Sequence, residues 1–146
     1  MENKDLINLL DGIQEDRDDT PKEKRIILID ALNLFFRNFA VIGTLNSEGA
    51  HVGGLGGFFR SLGALIRNLE ADQVYVVFDG IGGSNNRKNL IPEYKSGRMN
   101  SRITNWEAFD SVEDESNSQI DQITRIAQYL KTLSVKTVQI DKVEAD

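Results

Sequence analysis

The chain has no cysteine and a single histidine, His51. The first absence excludes a disulfide framework, a thiolate zinc site and a cysteine nucleophile. The second leaves no histidine-rich metal cluster and no spare base for a serine-type triad. No apolar run reaches membrane-spanning length, so no membrane partner is expected. Charges are scattered through residues 1–11, unlike a secretory leader. These features are compatible with a reducing cytoplasm, and a cytoplasmic location is expected. The 146 residues suit one α/β domain with a real core, and 40% hydrophobic with 27% charged residues is ordinary for a globular protein.

Positive charge is scarce overall, since the net charge is −6. Its distribution matters more than its sum. Residues 1–23 hold eight acids and three bases and contribute −5, leaving −1 for the rest. Residues 1–24 therefore read as a flexible acidic lead-in, and the folded unit runs over residues 25–146. Residues 87–102 reverse the trend, with five bases (Arg87, Lys88, Lys95, Arg98 and Arg102) against Glu93. Such a stretch can engage phosphates despite an acidic total.

Residues 26–29 form a short apolar run ending at Asp30, which predicts a strand buried on both faces. A helix follows over residues 31–40, with Leu32, Phe35, Phe36 and Phe39 on one side. Residues 43–54 are loop-like. Leu55, Phe58, Phe59, Leu62, Leu65, Ile66 and Leu69 recur at helical spacing. A second strand covers residues 74–78 and ends at Asp79. The basic stretch comes next and is broken by Pro92. Thr104 with Glu107, and Ser116 with Gln119, have capping-box spacing and predict two helix starts. The second helix carries Ile120, Ile123, Ala127, Leu130 and Leu133 as its stripe. Residues 137–140 predict a third strand. Strands alternating with helices imply a mostly parallel sheet in a three-layer α/β fold, helices on both faces.

In such sheets the ligand site lies beyond the carboxyl ends of the strands. Asp30 and Asp79 each follow an apolar strand directly, and Glu144 and Asp146 lie just beyond the third. Parallel strands would bring all four to one edge. Clustered carboxylates repel unless a cation sits among them. Oxygen donors without histidine or cysteine point to Mg²⁺ or Mn²⁺. The glycine-rich run Gly53-Gly-Leu-Gly-Gly57 lacks the Lys-Ser/Thr of a P-loop and does not directly follow a strand, so it is not read as a nucleotide site. Amides at the start of the following helix could hold a DNA phosphate, as helix N-termini do. His51 reads as a loop residue, and Trp106 and Phe109 as packing residues.

Ile27-Leu-Ile-Asp30, Val76-Val-Phe-Asp-Gly80, Pro92-Glu-Tyr-Lys-Ser-Gly-Arg98 and Lys142-Val-Glu-Ala-Asp146 together resemble the motifs of the 5′→3′ exonuclease/flap-endonuclease family. The resemblance covers residues 25–146. Asn105-Trp-Glu-Ala-Phe109 is most similar to the ribonuclease H branch of T-even-type phages, which removes RNA primers during DNA replication. The resemblance implies a PIN-like fold with a basic helical arch over residues 86–115. It makes Asp30, Asp79, Glu144 and Asp146 ligands of a divalent metal pair. Lys95 and Arg98 become cations on the scissile phosphate, and Tyr94 a base-stacking aromatic. Arg87, Lys88 and Arg37 become phosphate contacts, while the acidic residues 113–115 face solvent. Implied partners are branched or 5′-flap DNA and RNA–DNA hybrid, with replication proteins as further candidates.

Family members normally carry a further Asp directly after Glu-Ala-Asp, then a second half with more ligands. That half is absent here. The expectation is an incomplete two-metal site, little nuclease activity alone, and a complementing C-terminal polypeptide as a possible partner. An alternative is a half-enzyme acting as a DNA- or partner-binding module. A compact PIN-type ribonuclease would lack the long basic insertion. A haloacid-dehalogenase-type phosphatase would need an acid where Leu32 stands.

Overall fold

A computed structural model describes residues 23–80, 89–90 and 102–145. Three strands form one parallel sheet in the order β1-β2-β3: β1 (Ile26–Asp30), β2 (Gln73–Phe78) and β3 (Lys136–Gln139). The register sets Asp30 beside Val77 and Val77 beside Val138. The strands run the same way because each crossover is helical, which is the usual requirement for parallel pairing. Among the described residues no helix is long and apolar enough to cross a membrane.

Among the described residues the long helices are α1 (Ala31–Val41), α2 (Gly53–Leu69) and α3 (Val112–Leu130). Asp30 caps α1, its Oδ1 accepting the Asn33 amide at 2.9 Å. The strand's last residue is thus also the helix's first anchor. α2 starts where the chain passes very close to the end of α1. A Cβ on Gly53 would lie 1.6 Å from the Ile42 carbonyl oxygen, so only glycine fits. α2 ends with Glu70 in the left-handed region (φ 48°), a costly place for a residue with a Cβ.

The start of α3 differs from the expectation. Ser111, rather than Ser116, is the cap: its Oγ accepts the Asp114 amide at 3.1 Å and donates to Asp114 Oδ2 at 2.7 Å. Glu113, Asp114 and Glu115 then fill the first turn, where negative charge is favoured by the helix dipole. Ser116 and Gln119 lie inside the helix. Residues 105–109 form a hydrogen-bonded turn, Asn105 O accepting from Ala108 N and Phe109 N, rather than the start of a longer helix. The stripe on α3 is also displaced: Ile126 and Leu130 are buried and Ile120 is exposed.

The core gathers Ile29, Val74 and Val76 from one sheet face with Phe35, Phe39, Phe58, Leu62, Ile126 and Leu130 from the three helices. Burying a large apolar side chain contributes about 1.5–3 kcal/mol, so these residues dominate the stability. The opposite face of β1 differs from the expectation of a strand buried on both sides. Ile26 is exposed and Leu28 is 72% exposed. Among the described residues, no helix covers that face. Side chains alternate along a strand, so Ile27 and Ile29 point to the core while Ile26 and Leu28 point away.

Candidate active site

The carboxyl ends of the strands carry the candidate acids, and local geometry explains how two of them are set. Asp79 follows β2 directly, and its Oδ1 accepts the Ala145 amide at 2.8 Å. Next to it, Gly80 N donates to Val143 O at 2.9 Å. From β3, the Gln139 side-chain amide donates to Asp79 O at 3.2 Å. The segment after β3 therefore folds back over the end of β2. Val143 N closes a turn onto Ile140 O at 3.2 Å, with Lys142 at φ 63°. The approach is so close that a Cβ on Gly80 would sit 1.8 Å from the Ile140 carbonyl oxygen. This packing buries Glu144 beside the end of β2.

Asp30 sits at the same edge by register, because its β2 neighbour Val77 precedes Asp79 by two residues. Adjacent strands lie about 4.7–4.9 Å apart. Asp30 and Asp79 are alike in a second respect. Each commits Oδ1 to a backbone amide, and neither Oδ2 has a partner among the described residues. A carboxylate held through one oxygen has its second oxygen oriented in advance.

The donor set fits a hard divalent ion, being carboxylate oxygen alone. Among the described residues, no three His, Asp or Glu side chains are grouped tightly enough to enclose one. Asp146 lies outside the described residues, as do Arg87, Lys88, Tyr94, Lys95 and Arg98. Arg37 is described: it stands exposed on α1, seven residues beyond Asp30.

The structure also shows a polar network that the sequence did not disclose. Glu115, expected to face solvent, is only 3% exposed. Its Oε1 accepts the amides of Thr104 at 2.9 Å and Asn105 at 2.7 Å, and its Oε2 also lies 2.9 Å from the Thr104 amide. The Asn105 side chain donates to Phe39 O at 2.8 Å. These bonds tie the segment that follows the basic stretch to both α1 and α3. Burial of the charge is tolerated because amides and the helix N-terminus surround it.

His51 is likewise not a free loop residue. It is buried, bridged to Leu45, and packed edge-on against Phe39 at 4.7 Å. Its Nε2 contacts Ile42 O at 2.9 Å, and Gln122 Nε2 lies 3.3 Å from its Nδ1. The carbonyl must accept, so Nε2 carries a hydrogen. Burial lowers its pKa from 6.5, opposed by the Ile42 contact and the Glu115 charge. Gln122 also donates to His51 O at 2.8 Å and accepts the Leu55 amide at 2.9 Å. One of the amides at the start of α2 is thus already taken, which reduces what that end can offer a phosphate. The visible signal was periodicity: 115, 122, 126 and 130 share one helical stripe, and two of the four are polar.

The chain is 36% identical over 78 residues to DNA polymerase I of Borreliella burgdorferi, covering 51% of this chain and 8% of that protein. The T5 D15 protein co-crystallised with metal ions superposes with a TM-score of 0.56 at 20% identity, over 84% of this chain and 41% of that one. The bacteriophage T5 D15 flap endonuclease, in a pseudo-enzyme-product complex with DNA and metal ions, gives a TM-score of 0.55 at 19% identity, over 84% of this chain and 40% of that one. The chain thus spans less than half the length of each. Residues 25–146 match the family described as 5′-3′ exonuclease, N-terminal resolvase-like domain, and the chain belongs to that family.

Proposed function

We propose that this chain is the N-terminal part of a metal-dependent, structure-specific 5′→3′ exonuclease or flap endonuclease, serving RNA-primer removal in phage DNA replication within the host cytoplasm. The observation that carries the reading is the Ala145–Asp79 hydrogen bond, which binds the acid-bearing segment after β3 to the acid after β2. Asp30, Asp79, Glu144 and Asp146 would hold Mg²⁺ or Mn²⁺. Such ions, when bound, activate water and neutralise a scissile phosphodiester.

The remaining roles belong to the chain's own side chains. Lys95 and Arg98 contact the scissile phosphate and offset charge as it develops. Tyr94 stacks on a base beside the cut. Arg87, Lys88 and Arg37 hold phosphates of branched or 5′-flap DNA, or of an RNA–DNA hybrid. The T5 flap endonuclease complexed with DNA supports this choice of ligand. Electron paramagnetic resonance of Mn²⁺ tests the reading: bound Mn²⁺ is expected with this chain and lost in Asp79→Ala. Unaltered free-ion spectra at millimolar protein would overturn the metal assignment.

A second reading is favoured by Leu28. Its open sheet face suits a half-nuclease that is inactive alone and acts as a DNA- or partner-binding module, joined by a complementing polypeptide. Cleavage of a 5′-flap substrate with Mg²⁺ by the chain alone would argue against this reading.

A further inference from the structure

Trp106 is the chain's single tryptophan and was expected to pack, yet it is 74% exposed. Its neighbour Phe109 does pack, stacked on Phe39 at 6.0 Å. The turn over residues 105–109 therefore divides its two aromatics, one inward and one outward. The indole borders a cleft of about 410 Å³ whose walls include Val41, Gly43, Leu45, Asn105 and Glu107. Val41 and Leu45 are also exposed. The turn is held firmly, because Glu115 and Phe39 O anchor Asn105 from both sides. An anchored turn spares a binding partner the cost of ordering the backbone that carries the indole.

Two cations stand near the cleft along the chain, outside its own lining. Arg37 lies one helical turn before Val41, and Arg102 precedes the turn by three residues. Both are exposed, and among the described residues neither has an ion-pair partner. Glu107 on the cleft wall repels phosphate from the cleft itself, which leaves room for an uncharged ring. α1 connects this cleft to the sheet edge: Asp30 caps one end and Val41 ends the other, a span of about 16 Å for an eleven-residue helix. We infer that Trp106 is a stacking platform for an unpaired nucleobase, with Arg37 and Arg102 holding the adjoining phosphates of a single strand. This rests on the nuclease reading and extends it by a subsite away from the acids. Aromatic faces serve single strands without sequence preference, since every base has a flat face.

The chain reports on this itself, because all of its tryptophan fluorescence comes from Trp106. A mixed-sequence single-stranded oligonucleotide is titrated at low salt, with binding followed separately by anisotropy of a label on the oligonucleotide. The expected result is quenching of Trp106 emission that tracks binding, and roughly tenfold weaker binding by Trp106→Ala. Trp106→Phe should retain part of the affinity. Binding with unchanged emission, or with unchanged affinity in Trp106→Ala, overturns the platform while leaving the nuclease reading intact. Emission that changes with protein concentration alone, together with self-association in sedimentation, assigns the face to a second copy and also overturns it. No binding of single-stranded or 5′-flap DNA overturns both.

Discussion

The buried Glu115 carboxylate receives the Asn105 amide at 2.7 Å, and both belong to a partly buried network that fastens the turn before α3 to the helical core. Hydrogen bonds to a charged acceptor contribute about 1.5–3 kcal/mol. Glu115→Ala removes the acceptor for the Thr104 and Asn105 amides at once. It should lower unfolding stability by about 2–3 kcal/mol, read from urea midpoints. Glu115→Gln keeps one acceptor oxygen and should lose less. An alanine variant as stable as the parent would show that water replaces the carboxylate without loss.

Asp79 has two separable roles, and two substitutions divide them. Its Oδ1 fixes the Ala145 amide, while its charge is the property a cation needs. Asp79→Asn retains a carbonyl acceptor for Ala145 and should change stability by less than about 1 kcal/mol. Mn²⁺ binding should nevertheless fall at least tenfold. Asp79→Ala should lose both metal binding and the docking of residues 140–145, which hydrogen exchange at the Ala145 amide would report. Equal Mn²⁺ binding by the parent and the asparagine variant would remove Asp79 from the proposed ligands.

The parallel sheet and the edge that carries the acids were legible because both depend on local pattern. Apolar runs ending in Asp30 and Asp79, separated by a helical stripe, permit few arrangements. The network around His51, Glu115 and Gln122 was not legible. A polar residue on a buried stripe looks like an interruption until its partner is known, and these partners lie 10 to 71 residues away. The start of α3 was misplaced for a related reason. Ser116–Gln119 has the spacing of a cap, but Ser111 meets Asp114 three residues on and begins the helix earlier. Leu28 reads as a core residue in the sequence because hydrophobicity reports a preference for burial, not the element that provides it.

His51 should give stability a pH dependence. Burial lowers its folded pKa below the unfolded value of 6.5. Between those two values the unfolded chain binds more protons than the folded one, so unfolding free energy rises with pH. The contribution is fully present above about pH 6.5, is lost as pH falls towards the folded pKa, and levels off below it. Urea midpoints measured from pH 7.5 to 5 should show this slope, and His51→Gln should flatten it. A slope unchanged in the glutamine variant would place the titration elsewhere.

Leu28 separates the stability of this chain from its capacity to be completed. The residue is 72% exposed on the open sheet face and makes no contribution to the core cluster. Leu28→Lys should therefore shift the chain's own stability by less than about 0.5 kcal/mol, as expected for a surface site. If a complementing polypeptide covers this face, the same substitution places an ammonium group in an apolar interface, where an unpaired charge costs several kcal/mol. Association with a polypeptide carrying the rest of a family fold, followed by calorimetry, should then weaken at least a hundredfold. Ile29→Lys is the contrasting variant: its position is buried in the core, so it should unfold the chain outright. Undiminished association of the Leu28→Lys variant would mean that the partner binds elsewhere and that the open face is simply solvated.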